Sequence, residues 1–372
     1  QASADYSTFC NPPSCPIRMP RSPFSWEAAM GELEDCVAPG AAICGDASSS
    51  ACLFAVWNLI VRPPRVQYSE EELASEYPRR FTMGGHTVLR SDFKLFNARG
   101  MRLVCTLFEP MSELEGGKAQ GGAGAGERAC VVFCHDSCSC RIAGFQLVPV
   151  LLPLNVGLAC FDFAGSGASD GEYVSFGFHE RDDLSRVIDH LRSAFGFSRI
   201  GLWGQTMGAA AALMHAPRDP TLAGIVVDSP FSDAWDLLTE VCHDVVSLSP
   251  WLISPYLHMV RLVIQNKAQF DICDVSPKAH VKKCFIPALF LHGEMNTFVT
   301  PKHSELLKRS YGGEALLLRM PEVAHSTRRP TEFLARTAAF LVRALRWERH
   351  LPPGVTEDAL AALAAGRLPA QR

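Results

Sequence analysis

Ile200-Gly201-Leu202-Trp203-Gly204-Gln205-Thr206-Met207-Gly208-Ala209-Ala210-Ala211 decides how the rest of the chain is read. An apolar run enters Gly-x-Thr-x-Gly and passes straight into an Ala-rich helical pattern, so it predicts a strand, a sharp turn and a helix. This is the pattern of a nucleophile elbow, with Thr206 where Ser is expected. Gly204 and Gly208 would let strand and helix approach closely, leaving the central hydroxyl at the top of a sheet and over the amino end of the helix.

The segments on either side fit that reading. Residues 129–134 form a continuous apolar run, the mark of a parallel strand buried on both faces. Residues 142–152 read as a helix and 157–162 as the next strand. Residues 180–195 carry Leu184, Val187, Ile188, Leu191 and Phe195 on one helical face. After the elbow come a strand at 224–228, helical patterns through 231–285, strands at 287–292 and 315–320 with a helix at 301–310 between them, and a helix at 331–346. Upstream, residues 87–97 and 101–108 flank Asn97-Ala98-Arg99-Gly100 as a hairpin. Alternating strands and helices from residue 129 onward predict a doubly wound, mostly parallel α/β sheet, with ligands at the carboxyl ends of its strands. The long excursion at about 231–285 is expected to form a small helical cap.

The domain reading is a loosely ordered extension over residues 1–54 with a short helix at 27–36, a main domain over 55–346, and a tail over 347–372 with a weak helix at 356–365. Within the main domain, 111–128 is expected to be a flexible surface loop, because its Gly-rich core lacks the Gly-x-x-x-x-Gly-Lys phosphate spacing. Across the 372 residues the hydrophobic fraction is 48% and the formal net charge is -4, which excludes a disordered chain and gives no basic field for nucleic acid. No apolar run reaches the roughly 18 residues of a membrane span, so a soluble, cytoplasmic protein with no transmembrane segment is expected. The 14 cysteines sit largely in apolar runs and read as reduced, buried thiols. Neither Cys134, Cys138 and Cys140 beside His135 nor the His179-Glu180 pair has the spacing of a metal site, and no cofactor is expected.

The ordered motifs resemble the α/β-hydrolase superfamily, in particular its serine aminopeptidase- and esterase-like branch of plant and protist type. The likeness runs over about residues 55–345. It rests on Ile60-Val61-Arg62-Pro63-Pro64-Arg65, Asp162-Phe163-Ala164-Gly165-Ser166-Gly167-Ala168-Ser169-Asp170-Gly171-Glu172-Tyr173 and Glu180-Arg181-Asp182-Asp183-Leu184. The elbow, Asp228-Ser229-Pro230-Phe231-Ser232, Phe270-Asp271-Ile272, Pro287-Ala288-Leu289-Phe290-Leu291-His292-Gly293 and His325-Ser326-Thr327-Arg328-Arg329-Pro330 complete it. The resemblance implies an α/β-hydrolase fold and a catalytic triad at Thr206, Asn296 and His325, in the order nucleophile, acid, base. Ser137 and Met207 would supply the N–H groups of the oxyanion hole.

Three positions depart from the family's pattern: Thr206 for Ser, Asn296 for Asp, and Asp136 for the Gly of His-Gly. A β-branched residue is an outlier at the strained elbow and is expected to relax the turn. Loss of the acid lowers turnover about 10⁴-fold in hydrolytic triads through the wrong imidazole tautomer. A carboxylate about 4 Å from the oxyanion costs about 4 kcal/mol at an effective dielectric near 20, roughly a thousandfold in rate. Asp228 is an alternative acid, although capping of the Ser229-Pro230 turn is its favoured role; Glu294 is two residues short of the acid position, and His135 and His292 read as hydrogen-bonded strand ends. The leading expectation is a family member with weak or lost hydrolase activity, a pseudoenzyme that keeps a pocket for a small acyl or peptide-like ligand. The alternatives are an active ester or amide hydrolase using Thr206, His325 and Asp228, or a protein-interaction module whose partners the sequence does not name.

Overall fold

The computed structural model describes residue 57 and residues 60–111, 127–245 and 250–351. The expected extension over 1–54, most of the expected loop over 111–128 and nearly all of the tail lie outside the described residues. Nine strands form one sheet in the order β1-β2-β3-β5-β4-β6-β7-β8-β9. They are β1 Arg80–Met83, β2 His86–Phe96, β3 Arg102–Met111, β4 Ala129–Cys134, β5 Gly157–Asp162, β6 Arg199–Gln205, β7 Gly224–Asp228, β8 Ala288–Gly293 and β9 Ala315–Met320. β1 to β3 form an antiparallel meander joined antiparallel to β5, and from β5 to β9 neighbouring strands are parallel. The architecture is the doubly wound, mostly parallel sheet that the sequence predicts.

Strand periodicity explains why the central strands are apolar throughout. Successive side chains point to opposite faces. Cys130, Val132 and Cys134 of β4 enter the core on one face with Ile200 and Leu202, and Val131 and Phe133 enter the other with Trp203. The first face is covered by helix α2, Glu180–Phe195, through Leu184, Val187, Ile188 and Leu191, and by α3, Met207–His215. The second is covered by α7, Thr331–Ala344, through Phe333, Leu334, Leu341 and Val342. Helix α1, Glu70–Glu76, absent from the sequence reading, starts at a capping box in which Ser69 Oγ and the Glu72 carboxylate each accept a backbone N–H of the other.

Residues 142–152 do not form the expected helix. A 3₁₀ segment, Arg141–Leu147, leads into a single α turn, Val148–Leu151, and another 3₁₀ turn, Leu152–Leu154. Pro149 and Pro153 each remove a helical donor, and at Gly144 a Cβ would stand 2.6 Å from the Phe133 ring, so the chain winds tightly against β4.

Between β7 and β8 lie α4, Ala234–Val245, and α5, Pro250–Ala268, followed by short turns. Leu237, Leu238, Leu257, Val260 and Ile264 of this excursion pack with Phe231, Phe176 and with Ala210 and Met214 of α3. It is therefore seated against the helix that follows Thr206. Helix α6, Pro301–Ser310, joins β8 to β9. No helix of the described residues is long and apolar enough to cross a membrane.

Candidate active site

Thr206 stands between β6 and α3 with φ 44° and ψ -99°, so the β-branched residue does not relax the turn. A non-glycine residue held there costs about 1–3 kcal/mol of backbone strain. Its neighbours enforce that geometry. The Thr206 N–H donates to the Asp228 carbonyl at 2.9 Å, and the Ala210 N–H donates to the Thr206 carbonyl at 3.0 Å. A Cβ on Gly208 would lie 2.1 Å from the Cys134 carbonyl oxygen, and one on Gly204 would lie 2.5 Å from that of Gly208. The two glycines let α3 sit directly on β4 and β6, which presents the Thr206 hydroxyl at the strands' carboxyl ends.

Two further loops at that edge bring in Asn296, after β8, and His325, after β9. Thr206 Oγ1 lies 3.5 Å from His325 Nε2, and Asn296 Nδ2 lies 3.1 Å from His325 Nδ1. The three positions expected of a triad are therefore assembled. Thr206 and Asn296 are buried, and Phe298 packs edge-on against the imidazole with ring centroids 4.9 Å apart.

The hydrogen bonds set the polarity of this assembly. Asn296 Oδ1 accepts the Val299 N–H at 3.0 Å, which fixes the amide so that its NH₂ faces the ring. An amide NH₂ only donates, so His325 Nδ1 must be the bare, accepting nitrogen, and a neutral imidazole then carries its proton on Nε2. That proton faces Thr206 and Asp136, whose Oδ2 is 3.8 Å from Nε2. A general base needs the reverse arrangement, with the lone pair on the nitrogen facing the hydroxyl.

Asp136 is held as an anion in this position. Burial alone pushes its carboxyl up, but the His325 imidazole and the Ser137 N–H hold it below the ordinary carboxylate value. This contact also corrects the expected oxyanion hole. The Ser137 N–H donates to Asp136 Oδ1 at 2.6 Å and is not offered to a ligand. Met207 opens α3, in the first turn where backbone donors have no intrahelical acceptor, and is the remaining expected donor.

Asp228 does not act as the alternative acid in this geometry. Its carboxylate is fully buried and takes two hydrogen bonds from Arg329, Nε to Oδ2 at 2.6 Å and Nη2 to Oδ1 at 2.9 Å. Ser229 Oγ also donates to Oδ1 at 3.1 Å, so the expected turn contact is present beside a stronger partner. Glu294 is exposed and stays out of the site. His135 Nδ1 donates to the Asp136 carbonyl at 2.7 Å and its Nε2 accepts the Phe163 N–H at 3.1 Å. His292 bridges Ser304 Oγ and the Val299 carbonyl, each at 2.7 Å. Glu180, beside His179, accepts from the Ser175 and Gly177 N–H groups and so ties down the turn ahead of α2.

The model of the serine aminopeptidase family, S33, matches residues 125–278. That stretch contains Asp136, Thr206 and Asp228 and ends before Asn296 and His325. An esterase of Pyrococcus furiosus superposes with a TM-score of 0.54 at 20% identity, covering 76% of this chain and 97% of that one. The fold is that of the α/β hydrolases. Acetyl xylan esterase 1 from Thermoanaerobacterium is similar at TM-score 0.51 and 16% identity, over 71% of this chain and 85% of its own. The uncharacterized protein YqkD of Bacillus subtilis is 25% identical over 192 residues, which is 50% of this chain and 62% of that protein.

One residue of this site was not singled out from sequence. Arg329 donates to the carbonyls of Thr327 at 2.6 Å and of Ala324 and His325 at 3.3 Å while it grips Asp228. It thereby ties the His325 loop to the end of β7. Its place four residues after His325 was readable; its partner, 101 residues away, was not.

Proposed function

We propose that this chain is a serine aminopeptidase- and esterase-like α/β-hydrolase whose hydrolytic turnover is weak or absent and whose site is kept to bind a small acyl or peptide-like ligand. The observation that carries the proposal is the Asn296 amide, anchored by the Val299 N–H and donating to His325 Nδ1. It leaves His325 without a lone pair toward Thr206. Asp136 adds a second obstacle, because an anion beside His325 repels the oxyanion of acyl transfer. The family model and the esterase neighbours support acyl or amide bonds as the ligand's chemical class. A reducing, cytoplasmic setting belongs to the same proposal and is supported by free, buried cysteines at 105, 130, 134, 138, 140 and 160. The competing reading, a working threonine hydrolase, needs Asp228 on His325, and Arg329 holds that carboxylate instead.

The test is steady-state hydrolysis of p-nitrophenyl esters and aminoacyl amides by the protein beside Thr206→Ala and His325→Ala. Equal background rates in all three are expected. Turnover that vanishes in both variants would overturn the proposal.

A further inference from the structure

At the opposite end of the sheet from Thr206, a hollow of about 430 Å³ opens at the amino ends of β6, β7 and β8. Its wall carries four cations, Arg199, Lys283, Arg343 and Arg346, and no carboxylate, in a chain whose net charge is -4. They come from three separate parts of the chain: the start of β6, the turn before β8, and the end of α7. Arg199 is neutralised by Glu127 at 2.8 Å. The side chains of Lys283, Arg343 and Arg346 make no ion pair or hydrogen bond with a described residue. Phe285, at the rim, is 73% exposed.

Arg346 supplies a second, independent observation. It follows α7 in the left-handed region, with φ 52°, as the residue that closes the helix: its N–H reaches the Arg343 carbonyl at 3.0 Å and the Trp347 N–H reaches that of Val342 at 2.9 Å. This is the position where helices place glycine. A long cation here carries a backbone cost that the turn itself does not require, and it lies on the wall of the hollow.

We infer that this hollow binds a phosphate-bearing small molecule with a planar ring, of the nucleoside monophosphate kind. Three unpaired cations from two parts of the chain match a dianionic phosphate, with Arg343 and Arg346 presenting guanidinium forks and Lys283 a point charge. Phe285 offers an apolar face on which a flat ring stacks. The volume falls within the range of small-ligand pockets. This site is separate from the Thr206 edge, so it stands whether or not the chain hydrolyses anything.

Calorimetric titration with AMP and with inorganic phosphate at low salt tests the inference. AMP is expected to bind with a Kd below about 1 mM and to weaken as salt rises. The exposed-site double variant Lys283→Glu with Arg343→Glu should weaken both ligands at least tenfold. Phe285→Ala should weaken AMP severalfold and leave inorganic phosphate unchanged. Arg346→Gly should weaken both while raising the melting temperature, a combination that a purely structural role for Arg346 would not give. Equal AMP binding by the wild type and the double charge variant, or no binding at 10 mM, would overturn the inference, the concentration being an order-of-magnitude bound from the weak end of ligand affinity. So would a short single-stranded RNA that binds while AMP does not.

Discussion

Replacing Asn296 by Asp and Asp136 by Gly together should restore hydrolysis, while neither change alone does so. Asn296→Asp places a carboxylate where Nδ2 now meets His325 Nδ1 at 3.1 Å, and the Val299 N–H still holds the other oxygen. The ring proton then moves to Nδ1, and Nε2 turns its lone pair toward Thr206. In the single variant, however, Asp136 stands 3.8 Å from that lone pair. An imidazole between two carboxylates takes a second proton, and a cation cannot accept the proton of Thr206. Asp136→Gly alone frees the oxyanion region but leaves the tautomer reversed. The tautomer is worth about 10⁴ in turnover, and a carboxylate about 4 Å from the reacting charge is worth about 4 kcal/mol, or about 10³. Because Thr206 Oγ1 stands 3.5 Å from His325 Nε2, longer than a working nucleophile–base contact, only part of that product is expected back: the double variant should gain about 10³-fold in kcat/KM, with each single variant within about tenfold of wild type. The assay is p-nitrophenyl acetate hydrolysis by the four proteins, with Thr206→Ala added to the double variant as the control. If the two single gains simply multiply to give the double, or a folded double variant stays at background, the coupling argued here is wrong.

Other consequences concern stability. Burial pushes the His292 imidazole down to about 4 from 6.5, so between those values the unfolded chain takes up a proton that the folded chain refuses. Its contribution is complete above about pH 6.5 and falls as pH drops, by about 3 kcal/mol near pH 4; urea midpoints should fall further over that range in the wild type than in His292→Asn. Arg329→Ala leaves the Asp228 carboxylate buried without its partner and should cost about 3–5 kcal/mol in urea unfolding, part of which Asp228→Ala in the same chain should return. Gly208→Ala drives a methyl to within 2.1 Å of the Cys134 carbonyl oxygen. The loss should reach about 3 kcal/mol or more, and a wild-type melting temperature would refute the close packing of α3 on β4.

The parts of the fold legible in the sequence are those where one local signal sufficed. β4, β5 and β7 are apolar on both faces and could be read as central strands, and α2 combines an acidic first turn with a single apolar stripe. The segment 142–152 misled because its apolar spacing is helical, while Pro149 and Pro153 remove helical donors and Gly144 packs too close to the Phe133 ring of β4 for regular winding. α1 went unread although Ser69 and Glu72 spell out a capping box. At the site, Thr206, Asn296 and His325 were implied by the resemblance of their flanking motifs to the α/β-hydrolase pattern. Its polarity was not legible, since it depends on the Val299 N–H orienting the Asn296 amide. The use of the Ser137 N–H by Asp136 and the capture of Asp228 by Arg329 are likewise tertiary facts, the second linking positions 101 residues apart.

The imidazole at this site faces Thr206 with its proton rather than its lone pair. Long-range ¹H–¹⁵N correlation on protein labelled at histidine, with His325→Ala to assign the resonance, reads the tautomer directly at a pH where the ring is neutral. A protonated Nε2 and a bare Nδ1 are expected for His325. A proton on Nδ1 with a bare Nε2 toward Thr206 would contradict that polarity and restore His325 as a competent base.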